Sequence, residues 1–163
     1  QVVDKQVRFD YYSISRAKEI PTGIVILDTD IAGNPTGTSN TASGILESLS
    51  AANFRVRSLG FEEEKLATMS DSEIINNLRS RFGNQVERAI FGVVSLDRFD
   101  ESGKNYLVRV SGTIKAVDLE SGEILYSKNA FKNSRGSSSN AVISSAFKSL
   151  GMQLGEELAR NLP

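Results

Sequence analysis

Ala89-Ile90-Phe91-Gly92-Val93-Val94-Ser95-Leu96 is apolar at almost every position. A half-exposed strand alternates, whereas an unbroken apolar run fits a strand buried on both faces, so this segment is expected at the centre of a sheet. After it the pattern changes. From Tyr106 onward, Tyr106, Val108, Val110, Ile114 and Ala116 fall on one face and Arg109, Ser111, Thr113 and Lys115 on the other. That is the period of a strand with one wet side. Asp118-Leu119-Glu120-Ser121-Gly122-Glu123 has turn chemistry, since Gly can take a positive φ and Asp can bond the turn backbone. The chain returns through Ile124, Leu125, Tyr126 and Phe131, giving two long antiparallel strands. Asp97, Asp100, Glu101 and Lys104 read as a solvated loop ahead of the hairpin.

Downstream, a Ser-rich cap at Ser137 to Asn140 introduces a helix of about 22 residues, roughly 33 Å long. Its apolar stripe is Ile143, Phe147, Leu150, Leu154 and Leu158, with Ala146, Gly151 and Gly155 allowing close approach to a sheet. Upstream, Gly23 to Asp28 is a short apolar strand running into the turn-rich Gly33-Asn34-Pro35-Thr36-Gly37. A helix follows, capped by Thr38, Ser39 or Asn40 and carrying Ile45, Leu46, Leu49 and Ala52 on one face. Phe54 to Ser58 alternates as a strand, Glu62-Glu63-Glu64 opens a short exposed helix, and Ser70 with Glu73 forms a capping-box pattern before Ile74, Ile75, Leu78 and Phe82. The expected class is α/β of the α+β type: a mixed sheet with a C-terminal antiparallel hairpin and a long C-terminal helix, helices mainly on one face. Residues 1–22, where Val7, Phe9 and Tyr11 alternate with polar neighbours, read as an N-terminal strand or linker, and 23–163 as a single domain.

The 163 residues carry 19 basic and 20 acidic side chains but no Cys, His or Trp. Structural zinc sites, thiol catalysis, the Ser-His-Asp triad and His-ligated haem each need a side chain this chain lacks. A net charge of −1 gives no concentrated basic surface, so no nucleic-acid partner is expected. No apolar run reaches the roughly 18 residues that a membrane-spanning helix needs. The first residue is Gln1, which suggests a processed chain or a piece of a longer one, with a signal peptide or lipid-bearing Cys removed. Membrane contact is then expected only through such an anchor.

Asp28 and Asp30 stand just past the first strand, where paired carboxylates hold Mg²⁺ or Ca²⁺ in some α/β enzymes. The spacing is similar to the opening motifs of haloacid-dehalogenase-type phosphatases and nucleoside hydrolases, but Ile31 to Ser39 supplies no further aspartate. A structural role for the two carboxylates in fixing the turn is the preferred reading, with a Mg²⁺-dependent hydrolase as the alternative. Asn34, Thr36, Thr38 and Ser39 in the Gly-rich loop, and Arg135 and Ser137 before the last helix, are the candidate binding residues. Each group adjoins a helix N-terminus able to take a small anion or nucleotide, though ordinary capping explains both. Lys128, Lys132 and Arg135 form a modest basic patch, read first as charge protecting an edge strand.

As a unit, the second half resembles a group of bacterial cell-envelope domains that includes CsgG, LpoB, the N-terminal domain of TolB and FlgT. The likeness rests on the central strand followed by Val117-Asp118-Leu119-Glu120-Ser121-Gly122-Glu123-Ile124-Leu125-Tyr126-Ser127 and the Ser-rich turn into a terminal helix. In that group a Val-Asp-x-x-Thr/Ser-Gly-Glu-Ile-x-x-Ser hairpin recurs, matched here at Val117, Asp118, Ser121, Gly122, Glu123, Ile124 and Ser127. The resemblance implies a periplasmic or outer-membrane-associated module, in some cases a lipoprotein, that binds a protein partner. It transfers no catalytic residue and no cofactor, and it leaves homo-oligomerisation open. The expected function is therefore a non-enzymatic scaffold or regulator in a cell-envelope assembly.

Overall fold

The computed structural model describes residues 16–163; the strand reading at Val7, Phe9 and Tyr11 lies outside them. Five strands form one sheet: β1 (Thr22–Thr29), β2 (Val56–Ser58), β3 (Arg88–Ser102), β4 (Asn105–Asp118) and β5 (Ile124–Gly136). Their spatial order is β2-β1-β3-β4-β5. β1 runs parallel to β2 and β3, while β3, β4 and β5 are antiparallel neighbours. The apolar run at Ala89 thus forms the middle strand. Packed on the sheet are α1 (Asn40–Ala51), α2 (Asp71–Phe82) and α3 (Ser139–Asn161), with a 3-10 turn at Glu63–Ala67 before α2.

All eight residues of β1 are buried, because helices cover both faces there. Ile24 and Ile26 join Ile90, Val94 and Ile114 under α1 and α3. Val25 and Leu27 join Phe91, Val117 and Leu119 beneath α2 and the 3-10 turn. The hairpin turns as its sequence requires: Gly122 has φ +77, and the Asp118 carboxylate accepts from the Glu120 and Ser121 amides at 2.9 and 3.3 Å. Ser39 and Ser70 are the N-caps of α1 and α2, their hydroxyls accepting from Ala42 and Glu73 amides.

Two expectations need correction. Ala146 does pack toward the sheet, but the two glycines of α3 do not: a Cβ on Gly151 would collide with the Thr41 carbonyl and one on Gly155 with the Ser48 Cβ, as one on Gly44 of α1 would with the Lys148 carbonyl. The glycines bring α1 and α3 backbone to backbone, which leaves the larger side chains of both helices for the sheet. Nor is the charged stretch after Leu96 a loop. β3 continues to Ser102 through a bulge at Asp97, and Gly103 and Lys104 alone make the turn. Charged residues are stable in a strand there because its backbone is paired with β4 while its side chains reach water.

At the base of the sheet Arg88 is 1% exposed. Its guanidinium donates to the Thr22 hydroxyl at 3.1 Å, the Pro163 carbonyl at 2.9 Å and the Ala17 carbonyl at 2.7 Å. Burial lowers its pKa, with Asp118 and Glu87 acting in the opposite sense.

Candidate interaction surface

β1 ends at Thr29, level with Ser95 of β3, and the Thr29 hydroxyl donates to that of Ser95 at 2.8 Å. β3 runs on from there to Ser102, about 23 Å at 3.3 Å per residue. β3, β4 and β5 therefore project past β1 as a three-stranded ribbon. On one face the N-terminal half of α3 covers its lower part, with Val142 and Ala146 in one cluster with Leu96, Val108, Val110 and Ala130, while β3 from Asp97 to Ser102 is exposed. The other face has no helix over it among the described residues, since α2 packs lower down, on Val25, Leu27, Phe91 and Val117.

The residues on that open face follow from register. Arg109, Ser111 and Thr113 of β4 lie opposite Asn133, Phe131 and Asn129 of β5. Phe131 is 51% exposed, and the Arg109 guanidinium carbon lies 4.2 Å from its ring centroid. Asp97, the bulged residue, accepts from the Ser111 hydroxyl and lies 4.0 Å from Arg109 Nε. A carboxylate thus stands beside the cation while the ring lies beneath it. Lower on the same face the Lys115 ammonium pairs with Asp71 at the start of α2, beside an open cavity of about 370 Å³ lined by Leu66, Phe91, Ser95 and Thr113 among others. This polar face carrying Arg109 and Lys115 is legible in the alternation of β4. The Phe131 platform is not, because only cross-strand register joins residues so far apart in sequence.

The other candidates are separated. Asp28 is 2% exposed at the end of β1. Its carboxylate accepts from the Ser39 hydroxyl at 3.0 Å and the Thr41 amide at 3.1 Å, clamping the N-terminus of α1 to the sheet. Burial pushes its pKa up to about 6, against the opposing pull of those hydrogen bonds. Asp30 is spent on the turn, accepting from the Ala32 and Asn34 amides at 3.0 and 2.9 Å. The Thr36 amide bonds the Asp28 carbonyl, and the Thr36 hydroxyl donates to the Thr38 carbonyl. Among the described residues no three His, Cys, Asp or Glu side chains converge as they would around a metal ion. Arg135 and Ser137 are exposed, and Ser138 rather than Ser137 caps α3. Phe131 marks the level of Thr29 across the sheet, and β5 climbs from there to Gly136, about 17 Å further. The two loops consequently do not form one site.

The profile of the family described as TP0693-like lipoprotein, C-terminal domain, matches residues 21–159. The chain belongs to this family. It is thus a cell-envelope lipoprotein domain, and among the described residues no helix is long and apolar enough to cross a membrane. No curated protein matches the chain. Solved structures similar to this TP0693-like domain include the PelC dodecamer from Paraburkholderia phytofirmans, 16% identical over 85% of this chain and 86% of that one, with a TM-score of 0.55. The protein CT253 from Chlamydia trachomatis is 8% identical, covers 87% of this chain and 97% of its own, and has a TM-score of 0.52. The LpoB C-terminal domain from Salmonella enterica, from the group suggested by the hairpin motif, aligns over 72% of this chain and 90% of its own at 12% identity, with a TM-score of 0.36. The first two likenesses establish a shared fold and nothing finer; the third is too distant to carry an argument.

Proposed function

We propose that this lipoprotein domain is a non-enzymatic, periplasmic or outer-membrane-associated interaction module, a scaffold or regulator in an envelope assembly, and that it binds a protein partner through the open face of its ribbon. One observation carries the reading: a half-exposed Phe131 lies under Arg109 on the one part of the described sheet that helices cover on a single side. Aromatic and Arg side chains dominate the energetics of protein contacts, because a flat ring and a planar cation bury large area at little entropic cost. Lower down, helices cover both faces of β1 and of the first half of β3. The candidate catalytic pair supports no rival, since Asp28 and Asp30 direct their oxygens to backbone amides and a capping hydroxyl. PelC forms a dodecamer, so a second copy is one form the protein partner can take.

The test is site-specific photocrosslinking in intact cells, with a photoreactive phenylalanine replacing Phe131 and, as a control at the opposite end of the sheet, Glu120. The expected result is one envelope protein, or the domain itself, joined at position 131 but not at 120, with the yield reduced by Arg109→Ala. Equal labelling from both positions, or none from 131, removes the reading.

A further inference from the structure

The sheet has two outer edges of unequal kind. β2 is only three residues long, too short to template another strand. β5 is thirteen residues long, contains no proline, and among the described residues has no strand on its outer side. Its sequence, Ile-Leu-Tyr-Ser-Lys-Asn-Ala-Phe-Lys-Asn-Ser-Arg-Gly, holds three cations and no anion. Lys128 and Lys132 lie opposite Ile114 and Val110, whose side chains enter the core under α3, so both lysines line the α3 flank of the edge. Asn129, Phe131 and Asn133 line the open-face flank. Lys128 has a partner, Glu157, at 3.9 Å. Among the described residues no carboxylate lies within 4 Å of Lys132 or Arg135.

Such an edge rejects its own copy. In an antiparallel pair of two β5 strands centred on Ala130, each Lys128 would face the other chain's Lys132, and like charges directly opposite one another destabilise a strand pair. The same array attracts an extended segment whose acidic side chains recur on the α3 flank. Alternation along that segment places its intervening residues on the other flank, over Phe131, where an apolar side chain finds an aromatic surface. Main-chain hydrogen bonds then supply affinity and the two flanks supply selection.

We propose that β5 accepts an acidic, extended segment of a partner protein as a sixth strand, acid groups toward Lys128 and Lys132 and apolar groups toward Phe131. The proposal rests on the protein-binding reading above and specifies its partner's chemistry. A synthetic peptide of alternating Glu and Val, matched in length to β5, is the probe. At low salt it should slow amide hydrogen exchange within residues 124–136, and added salt should weaken it. Lys128→Glu with Lys132→Glu should weaken binding by about tenfold and transfer the preference to an alternating Lys and Val peptide. Unchanged thermal melting of this double variant separates charge reversal from misfolding. Binding without protection of β5, equal affinity for both peptides, or peptide-free protection that grows with protein concentration would each overturn the proposal, the last by showing that copies pair instead. If crosslinks at position 131 persist despite such a result, the protein-binding reading stands and strand addition alone fails.

Discussion

The lower part of the sheet and the ribbon above it share β3 and β4 but are built to opposite rules. Below Ser95 both faces are covered: β3 from Arg88 to Phe91 is buried at every position, and two apolar clusters meet across the strands. Above it α3 covers part of one face and the other carries Asp97, Arg109, Ser111 and Phe131. The difference separates the part that carries stability from the face proposed above for recognition. Two-sided burial supplies the free energy of folding, and this allows the projecting end to keep a polar and aromatic face in water.

If the base carries the stability, its buried cation Arg88 should be the costliest residue to remove. Arg88 is charged, 1% exposed and bonded to three groups from separate parts of the chain. Bonds to charged donors are worth about 1.5–3 kcal/mol each, and truncation also orphans the buried Ala17 carbonyl, so Arg88→Ala should lower stability by about 4 kcal/mol. Arg88→Lys keeps the charge but not the fork and should lose about half of that. Denaturant midpoints at fixed pH measure both. A loss below about 1 kcal/mol for the alanine variant would mean that the base does not depend on this tie.

How far the sequence reveals this division follows from which signals are local. The central strand, the hairpin turn at Gly122 and the caps Ser39 and Ser70 are legible because periodicity and capping act within a few residues. Arg88 is not, since a lone Arg before an apolar run gives no sign that Ala17, Thr22 and Pro163 will surround it. The charged continuation of β3 is hidden by its bulge, which breaks the alternation at Asp97. Gly151 and Gly155 are legible as close-approach residues, but Thr41, Ile45 and Ser48 as their neighbours are not. The same limit hides the proposed interaction face: Arg109 and Lys115 are visible as a polar face, whereas the ring beneath Arg109 comes from another strand.

Asp28 lies at the boundary between the two regions and makes their difference depend on pH. Its folded pKa is raised to about 6 from 3.8, so between those values the folded chain binds more protons than the unfolded one. Stability from this group is therefore fully present below pH 3.8 and is lost as pH rises through about 6. A shift of about two units corresponds to about 3 kcal/mol. Asp28→Asn keeps an acceptor for the Thr41 amide and offers a donor to Ser39 without the charge. The variant's stability relative to wild type should rise by up to about 3 kcal/mol between about pH 4 and about pH 7.5, followed by paired denaturant titrations. A constant difference across that range would show that the carboxylate ionises as it does in water, and the clamp would then add no pH dependence.

The smallest expected effect on folding sharpens the comparison most. Ile114 and Phe131 belong to neighbouring strands, but Ile114 is fully buried under α3 and Phe131 is half exposed. Ile114→Ala removes core volume and should cost about 3–4 kcal/mol. Phe131→Ala removes a ring already half in water and an exposed cation–π contact worth about 0.5–1 kcal/mol, so its cost should stay near 1 kcal/mol. Partner crosslinking from a neighbouring position such as Asn133 should respond in the reverse order, falling sharply for Phe131→Ala in protein that remains folded. Melting curves and crosslink yields from the same preparations separate the two quantities. If Phe131→Ala costs as much stability as Ile114→Ala, the ring belongs to the core, and the ribbon face cannot be a surface held in reserve for a partner.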